Sequence, residues 1–460
     1  MKNLASVEAE TSKNGIHALF AAYQNNEIDY GHFYSSNGTT ASEHLVYEAM
    51  EQDYPDLQRG NSPANEDKES IARNIVSTKQ EKKLNVVLVL MESMSARFMK
   101  AYGSDKAITP NLDNLAQKGL FFDRLYATGT RTVRGIEAVV LSMPPTPGQS
   151  IVRRPDAGEL FSIGTVFREK GYRTEFVYGG RSYFDNMKTF FRSNKFDVSD
   201  EENILPSDRT FSNAWGVADE DLFRHALKLQ SENYQHGRPF FQLILTTSNH
   251  RPYTFPKNKI DLQPGTGRDG AVKYSDFSIG EFVAESAQKP WFKNTVYVFV
   301  ADHNASVAGG TKVLPADYRI PAIFYSPGNI SPEKNSILSS QIDIAPTLLG
   351  LLNFSYQSKF FGHDLSRAKT ERAFLGTYQT VGLWRHDKLV LLSPNFRIDI
   401  KKMKNEIAQN LFRLEEKKYS AADEDVAVTI AFYETASTWY QEKLLKESRR
   451  YSTVKNMRAF

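Results

Sequence analysis

From Leu84 onward, short apolar runs rich in β-branched and aromatic residues alternate with stretches of helical periodicity, and this alternation narrows the fold more than any other feature. Five runs stand out, at 85–91, 174–178, 240–246, 295–300 and 321–325. Helix-like stretches lie between most of them, at 111–118, 163–170, 219–230 and 275–286. Strands that are apolar throughout, rather than on alternate residues, are buried on both faces, and helices between them supply the cover. The expected fold class is therefore α/β, a doubly wound, mostly parallel sheet. After about residue 370 the pattern changes to hairpin-like runs at 372–378, 388–392 and 396–400. A polar helix is expected over 423–448, making a smaller C-terminal α+β portion. The division implied is a helical or connecting arm over 1–83, a catalytic domain over 84–370 and the C-terminal portion over 371–460.

Bulk properties set outer limits. The chain has 460 residues, 40% of them apolar, a formal net charge of +3 and no cysteine. That is enough apolar material for a large core, and too little positive charge to argue for nucleic acid as a partner. Thiol catalysis, zinc–cysteine sites and disulfides are excluded. The longest apolar run, 86–91, falls far short of the roughly 18 residues that a membrane span needs. The N-terminus shows no basic start followed by an apolar stretch, so no signal peptide is visible.

In doubly wound sheets, ligands bind just beyond the carboxyl ends of the strands. Reading outward from the expected strand ends gives Glu92, then Gly179, Gly180 and Arg181, then Asn249 and His250, then Asp302 and His303. Each of these alone also fits a solvated loop or a helix cap. Together they deliver a carboxylate, an arginine, a histidine and an Asp-His pair to one edge, which is what a metal site assembled from separate elements requires. The loop ATGTRTVRG at 127–135 runs into an apparent helix start, where unpaired N–H groups and the positive dipole end favour phosphate. Arg131 and Arg134 could add charge-assisted contacts, or could simply be solvated.

These motifs resemble a known superfamily. NVVLVLME at 85–92, TPNLDNLA at 109–116 with the Gly-Leu-Phe-Phe run that follows, YGGRSYFDNM at 178–187, Asp302-His303 and QIDIAPTLL at 341–349 are similar in order and spacing to the alkaline phosphatase and sulfatase superfamily. The pattern looks most like its lipoteichoic acid synthase and phosphoglycerol transferase branch. The resemblance implies an alkaline phosphatase-like fold and one divalent metal, manganese first with zinc or magnesium as alternatives. Its ligands would be Glu92, Thr132, Asp302 and His303, with Thr132 also the nucleophile. His250 would contact the head group and act as a second catalytic residue, and Arg134, Arg181 and Asp185 would lie near the substrate. The implied partners are a phospholipid head group and a hydroxyl acceptor, either a glycan or a glycerol polymer. The implied place is the periplasmic or extracellular face of the inner membrane, this chain being the soluble part of a protein with transmembrane helices. The stretch 14–30 resembles the segment that follows the last such helix.

The same motifs bear on the alternatives. Arylsulfatases need Cys or Ser in a C/S-x-P-x-R motif, and here the position reads Thr132-Val133-Arg134-Gly135. Phosphoethanolamine transferases share the threonine but usually carry disulfides, which this chain cannot form. A phosphodiesterase or phosphonate hydrolase would use the same site with water as acceptor. A binding domain on a decayed enzyme fold is countered by the presence of all four core ligands.

Overall fold

The computed structural model describes residues 28–53, 58–59, 71–307, 309–403 and 423–447. Most of the stretch at 14–30 lies outside them.

In chain order the main elements begin with α1 (Thr39–Glu51), β1 (Asn85–Met91), α2 (Pro110–Lys118), β2 (Leu120–Tyr126), α3 (Thr132–Leu141), α4 (Ile163–Glu169), β3 (Arg173–Tyr178) and β4 (Asp197–Ser199). There follow α5 (Asp219–Gln235), β5 (Phe240–Leu245), α6 (Arg268–Ala287), β6 (Thr295–Ala301), β7 (Arg319–Tyr325), β8 (Glu333–Asn335) and α7 (Ile344–Leu351). The C-terminal portion adds β9 (Arg372–Gly376), β10 (Val381–Arg385), β11 (Lys388–Ser393), β12 (Arg397–Lys402) and α8 (Glu424–Gln441).

The large sheet runs β8-β2-β7-β6-β1-β5-β3-β4, with Ser339–Ser340 pairing on β2. From β6 to β4 every pairing is parallel, whereas β7 is antiparallel to both its neighbours. The expected α/β, mostly parallel architecture is thus observed. All residues of β1, β5 and β6 are buried, as their unbroken apolar sequences require. From β1 the chain crosses to β2 on one side of the sheet, goes on to β3, β4 and β5 on the other, and returns to β6 directly beside β1. A crevice therefore forms where β1 and β6 end side by side.

Local signals fix several helix starts. Pro110 opens α2, where a missing N–H costs nothing, and Ser162 with Thr165 forms a capping box on α4. The helix expected at 275–286 begins seven residues earlier, at Arg268.

The second sheet is an antiparallel meander, β9-β10-β11-β12. Its strand β10 was not expected from sequence; Gly382 and two polar ends leave only a short apolar signal there. The terminal helix is a correction of another kind. It is buried along most of its length and on most sides, not solvated as its polar residues suggested. Those residues are paired inward instead. Ser36 and Ser42 donate to Glu434, and Trp439 donates to Glu43 of α1 at 2.9 Å. Helices α1 and α8 pack together, so the two ends of the described chain share one layer.

The segment after α1 is tied to the catalytic part by one buried carboxylate. Asp53 accepts from His363 Nδ1 at 2.6 Å and from the Lys369 and Thr370 amides at 2.9 Å. Burial alone would raise its pKa, but the His363 hydrogen bond and charge, with Arg372, hold it well below the usual carboxylate range. A depressed carboxylate contributes stability that is fully present above its unfolded value and is lost as pH falls through the folded one. Asp53→Asn is therefore expected to lower unfolding stability at pH 7 by about 3 kcal/mol. Denaturant titration should show that deficit shrinking progressively once pH falls below about 4, the ordinary carboxylate value.

Candidate metal centre and its surroundings

Three of the four expected metal ligands meet at the crevice. Met91 of β1 and Ala301 of β6 are register partners, so the residues that follow them, Glu92 and Asp302, leave the sheet side by side. Ligand atoms of Glu92, Asp302 and His303 all lie within 4.8 Å of one another, and all three residues are buried. Thr132, the first residue of α3, brings its hydroxyl to 3.4 Å from Glu92 Oε2. His250 Nε2 stands 3.3 Å from Glu92 Oε1.

The surrounding hydrogen bonds orient these groups and leave one face of each free. Asp302 Oδ1 accepts from the Ser93 and His303 amides at 2.8 and 2.7 Å. Its Oδ2 is buried and has no hydrogen-bond partner. His303 Nδ1 lies 2.8 Å from the Asn304 carbonyl oxygen, which fixes Nδ1 as the donor and leaves the Nε2 lone pair facing the carboxylates. Asn249 donates to the Glu92 and Ser93 carbonyls, and the Thr246 hydroxyl accepts from the Glu92 amide.

Charge in this cluster is unbalanced. Burial and the Glu92 carboxylate push Asp302 up to about 7. Glu92 lies below its ordinary value because His250 and His303 outweigh the effect of burial. Burial would lower His303, but the two carboxylates raise it. Two facing carboxylates, one with an orphaned buried oxygen, and an imidazole with its lone pair turned inward make a donor set that fits a divalent cation.

His250 is held by an aromatic partner that no sequence pattern singles out. Its ring stacks on Trp215 with centroids 3.7 Å apart and planes 6° from parallel. Trp215 is itself fixed by its indole N–H, which donates to the Arg251 carbonyl at 2.5 Å. Burial lowers the pKa of His250 in spite of Glu92, and Arg268 and Arg131 act in the same direction.

The three residues expected near the substrate fare differently. Arg134 needs correction as a phosphate contact. It is buried, its Nη1 donates to Glu137 at 2.7 Å and its Nη2 donates to the carbonyls of Thr146 and Gly148. Glu137 one turn along the same helix captures it and draws the side chain into the protein. Arg181 is largely exposed, and its Nε stands 3.5 Å from Glu201 Oε2. The Asp185 carboxylate is nearly covered and lies between Arg131 and Arg153, at 3.3 and 3.5 Å, and so holds the Arg131 side chain beside Thr132. A cleft of about 410 Å³ opens next to that loop, with Thr130, Arg131, Thr311, Thr377, Tyr378 and Gln379 among its walls.

The family model described as Sulfatase matches residues 84–354, more than half of the chain. The chain belongs to the sulfatase family. Its likeness to curated proteins falls on phosphoglycerol transferase I of Shigella flexneri and of Escherichia coli O127:H6. Each is 26% identical over 356 residues, covering 72% of this chain and 46% of the relative. This sulfatase-family chain thus spans about half the length of the curated relatives it matches. A crystal structure of an alkaline phosphatase superfamily protein from Vibrio parahaemolyticus superposes with a TM-score of 0.81 and 33% identity, covering 90% of this chain and 99% of that one. The lipoteichoic acid synthase LtaP from Listeria monocytogenes shares the fold, with a TM-score of 0.65 and 20% identity, covering 78% of this chain and 93% of LtaP. The branch that the motifs resemble is therefore the branch in which these relatives lie.

In this sulfatase-family site one glycine sets the spacing between Thr132 and the cluster. A Cβ on Gly135 would lie 2.3 Å from the Asp302 carbonyl oxygen, a backbone atom that cannot swing aside. Gly135→Ala is expected to push α3 off the end of β6 and weaken divalent-cation binding by about fivefold or more, given an overpacking cost of about 1–3 kcal/mol. Titration calorimetry with a divalent cation measures this, and unchanged affinity would mean that the helix can yield.

Proposed function

We propose that this chain is the catalytic region of a phosphoglycerol transferase that moves a phosphoglycerol group from a phosphatidylglycerol-like donor to a hydroxyl acceptor through a covalent threonine intermediate. The observation that carries the reading is the Thr132 hydroxyl, at the first turn of a helix, 3.4 Å from a buried Glu92 that shares its pocket with Asp302 and His303. The names of the curated relatives supply the phosphoglycerol group, and the missing cysteine or serine of the arylsulfatase motif argues against sulfate esters.

Glu92, Asp302, His303 and the Thr132 hydroxyl would hold one divalent cation, manganese being the best match to two carboxylates and an imidazole. Such a cation supplies positive charge that makes a hydroxyl more acidic and offsets charge on a phosphate.

The rest falls to side chains. Thr132 Oγ loses its proton toward Glu92 Oε2, its hydrogen-bond partner, and attacks phosphorus. The bond from phosphorus to the diacylglycerol oxygen breaks, and that oxygen takes a proton from His250 Nε2. In the second half the acceptor hydroxyl gives its proton to His250 and attacks the same phosphorus. Thr132 Oγ then leaves and regains a proton. The stack on Trp215 keeps the His250 ring from rotating, so one nitrogen serves both transfers. Helix α3 directs its N-terminal amides at the reacting phosphate. The cleft beside Arg131, walled by hydroxyl and amide side chains, suits an envelope glycan or glycerol polymer as acceptor. Action on a membrane phospholipid also motivates a place at the outer face of the inner membrane.

Thr132→Ala is expected to lower transfer from short-chain phosphatidylglycerol by at least about 10³-fold while leaving Mn²⁺ bound by the other three ligands. In the native protein, quenching during turnover should trap a phosphoglycerol adduct on the peptide containing Thr132, read by mass spectrometry. Full activity in the variant, or an adduct elsewhere, would overturn the mechanism. Release of free glycerol phosphate regardless of added glycan would instead favour the hydrolase reading.

His250→Ala should reduce kcat by about 10²-fold or more. Activity of that variant should recover preferentially with donors whose leaving group needs no proton, such as nitrophenyl esters. Equal losses on both donors would remove His250 from the proton-transfer role.

A further inference from the structure

Arg268 is the first residue of α6, a position where a cation faces the positive end of the helix dipole. Acidic groups stand nearby but serve others. The adjacent Asp269 pairs with Lys106 at 2.7 Å, and Asp261 pairs with Lys273 at 2.6 Å. Among the described residues no carboxylate forms an ion pair with Arg268, and its Nη1 is buried without any hydrogen-bond partner. A buried guanidinium nitrogen left unpaired lowers stability, and an unfavourable helix end adds to that cost.

The side chain is nevertheless fixed in place. Its guanidinium lies over the Tyr253 ring, 4.9 Å from the centroid. The Tyr253 amide donates to the His250 carbonyl at 2.7 Å, so the turn that carries His250 also builds the shelf for Arg268. The arginine is thereby anchored on the turn that carries His250. An oriented cation with no protein counter-ion among the described residues, anchored on that turn and set against a helix N-terminus, is half of an anion site.

We propose that Arg268 is a substrate-binding residue of this centre, whose free Nη1 donates to a non-bridging oxygen of the donor's phosphodiester. The assignment rests on the phosphoglycerol transfer reading for the identity of the donor, but its anion chemistry stands apart from Thr132. Arg268 would take over the recognition role expected of Arg134, which Glu137 has captured.

The test uses the Mn²⁺-loaded protein, inorganic phosphate and sn-glycerol 1-phosphate as probes, and the variants Arg268→Gln and Arg268→Lys. Arg268→Gln is expected to weaken binding of both anions at least tenfold in calorimetry, the loss of about one charge-assisted hydrogen bond. Arg268→Lys should fall between it and the native protein, and Mn²⁺ affinity should not change in either variant. Phosphate should raise the melting temperature of the native protein but not of Arg268→Gln. Without phosphate, that variant should melt at or above the native temperature, because an unpaired charge has been removed. Native-like phosphate affinity in Arg268→Gln would overturn the proposal. So would a lowered melting temperature with Mn²⁺ binding lost as well, which is the outcome of a structural role. Should Thr132→Ala stay active while Arg268→Gln loses phosphate, the transfer mechanism would fail and the anion site would survive.

Discussion

Two carboxylates placed together out of water are the constraint around which this site is organised. Their proximity is not a loop property. It follows from the parallel pairing of β1 and β6, in which Met91 faces Ala301, so that Glu92 and Asp302 must emerge as neighbours. A one-residue slip of either strand would turn one carboxylate to the opposite face of the sheet. Close packing opposes that slip, because every residue from 85 to 91 and from 295 to 301 is buried and a shift would misfit the side chains on both faces. Hydrophobic burial therefore enforces an electrostatic repulsion. Asp302 Oδ2, left without a donor while Oδ1 has two, marks the side from which compensation must come.

Thr132 reaches the cluster by an independent route. Gln341 links the two halves through three of its hydrogen-bonding positions. Its Nε2 donates to the Ala301 and Asp302 carbonyls at 2.7 Å each, and its Oε1 accepts from the Thr128 amide at 3.0 Å. One buried amide thus measures the separation between the end of β6 and the loop that enters α3. Gly135 sets the same separation from the other side, by offering no Cβ to the Asp302 carbonyl. The position of Thr132 is accordingly fixed by backbone contacts on both flanks, which is the rigidity that an attack geometry needs.

How much of this the sequence disclosed depended on the range of the interaction. Strand ends were legible because burial on both faces leaves an unbroken apolar run, and the polar residue that breaks it is the one delivered to the crevice. Glu92, His250, Asp302 and His303 were found in that way. The Gln341 motif was visible as a pattern, but its purpose was not, since the Thr128 amide it holds lies 213 residues away. Arg134 was misjudged because the decisive competitor, Glu137, is a helical neighbour at i+3 that reads equally well as an exposed pair. Trp215 and Arg268 had no sequence signal, for each acts through partners in the turn after β5. The inward pairing of α8 was hidden for the same reason, its polar side chains finding partners near residues 36–43 at the other end of the chain.

The finished site has two halves of opposite sign. Glu92 and Asp302 form the acidic half, and Arg131, Arg268 and the N-terminus of α3 form the basic one. A phosphodiester carries one negative charge, so on approach it is repelled by the first half and attracted by the second. Two buried carboxylates left uncompensated disfavour a third negative charge beside them. On the proposed reading, the basic half draws in a donor only once the acidic half has been neutralised. The order of events would then follow from the charge distribution: the carboxylates are brought together by the sheet, their compensation makes the pocket accept an anion, and only then would the hydroxyl at the helix start have a phosphorus within reach.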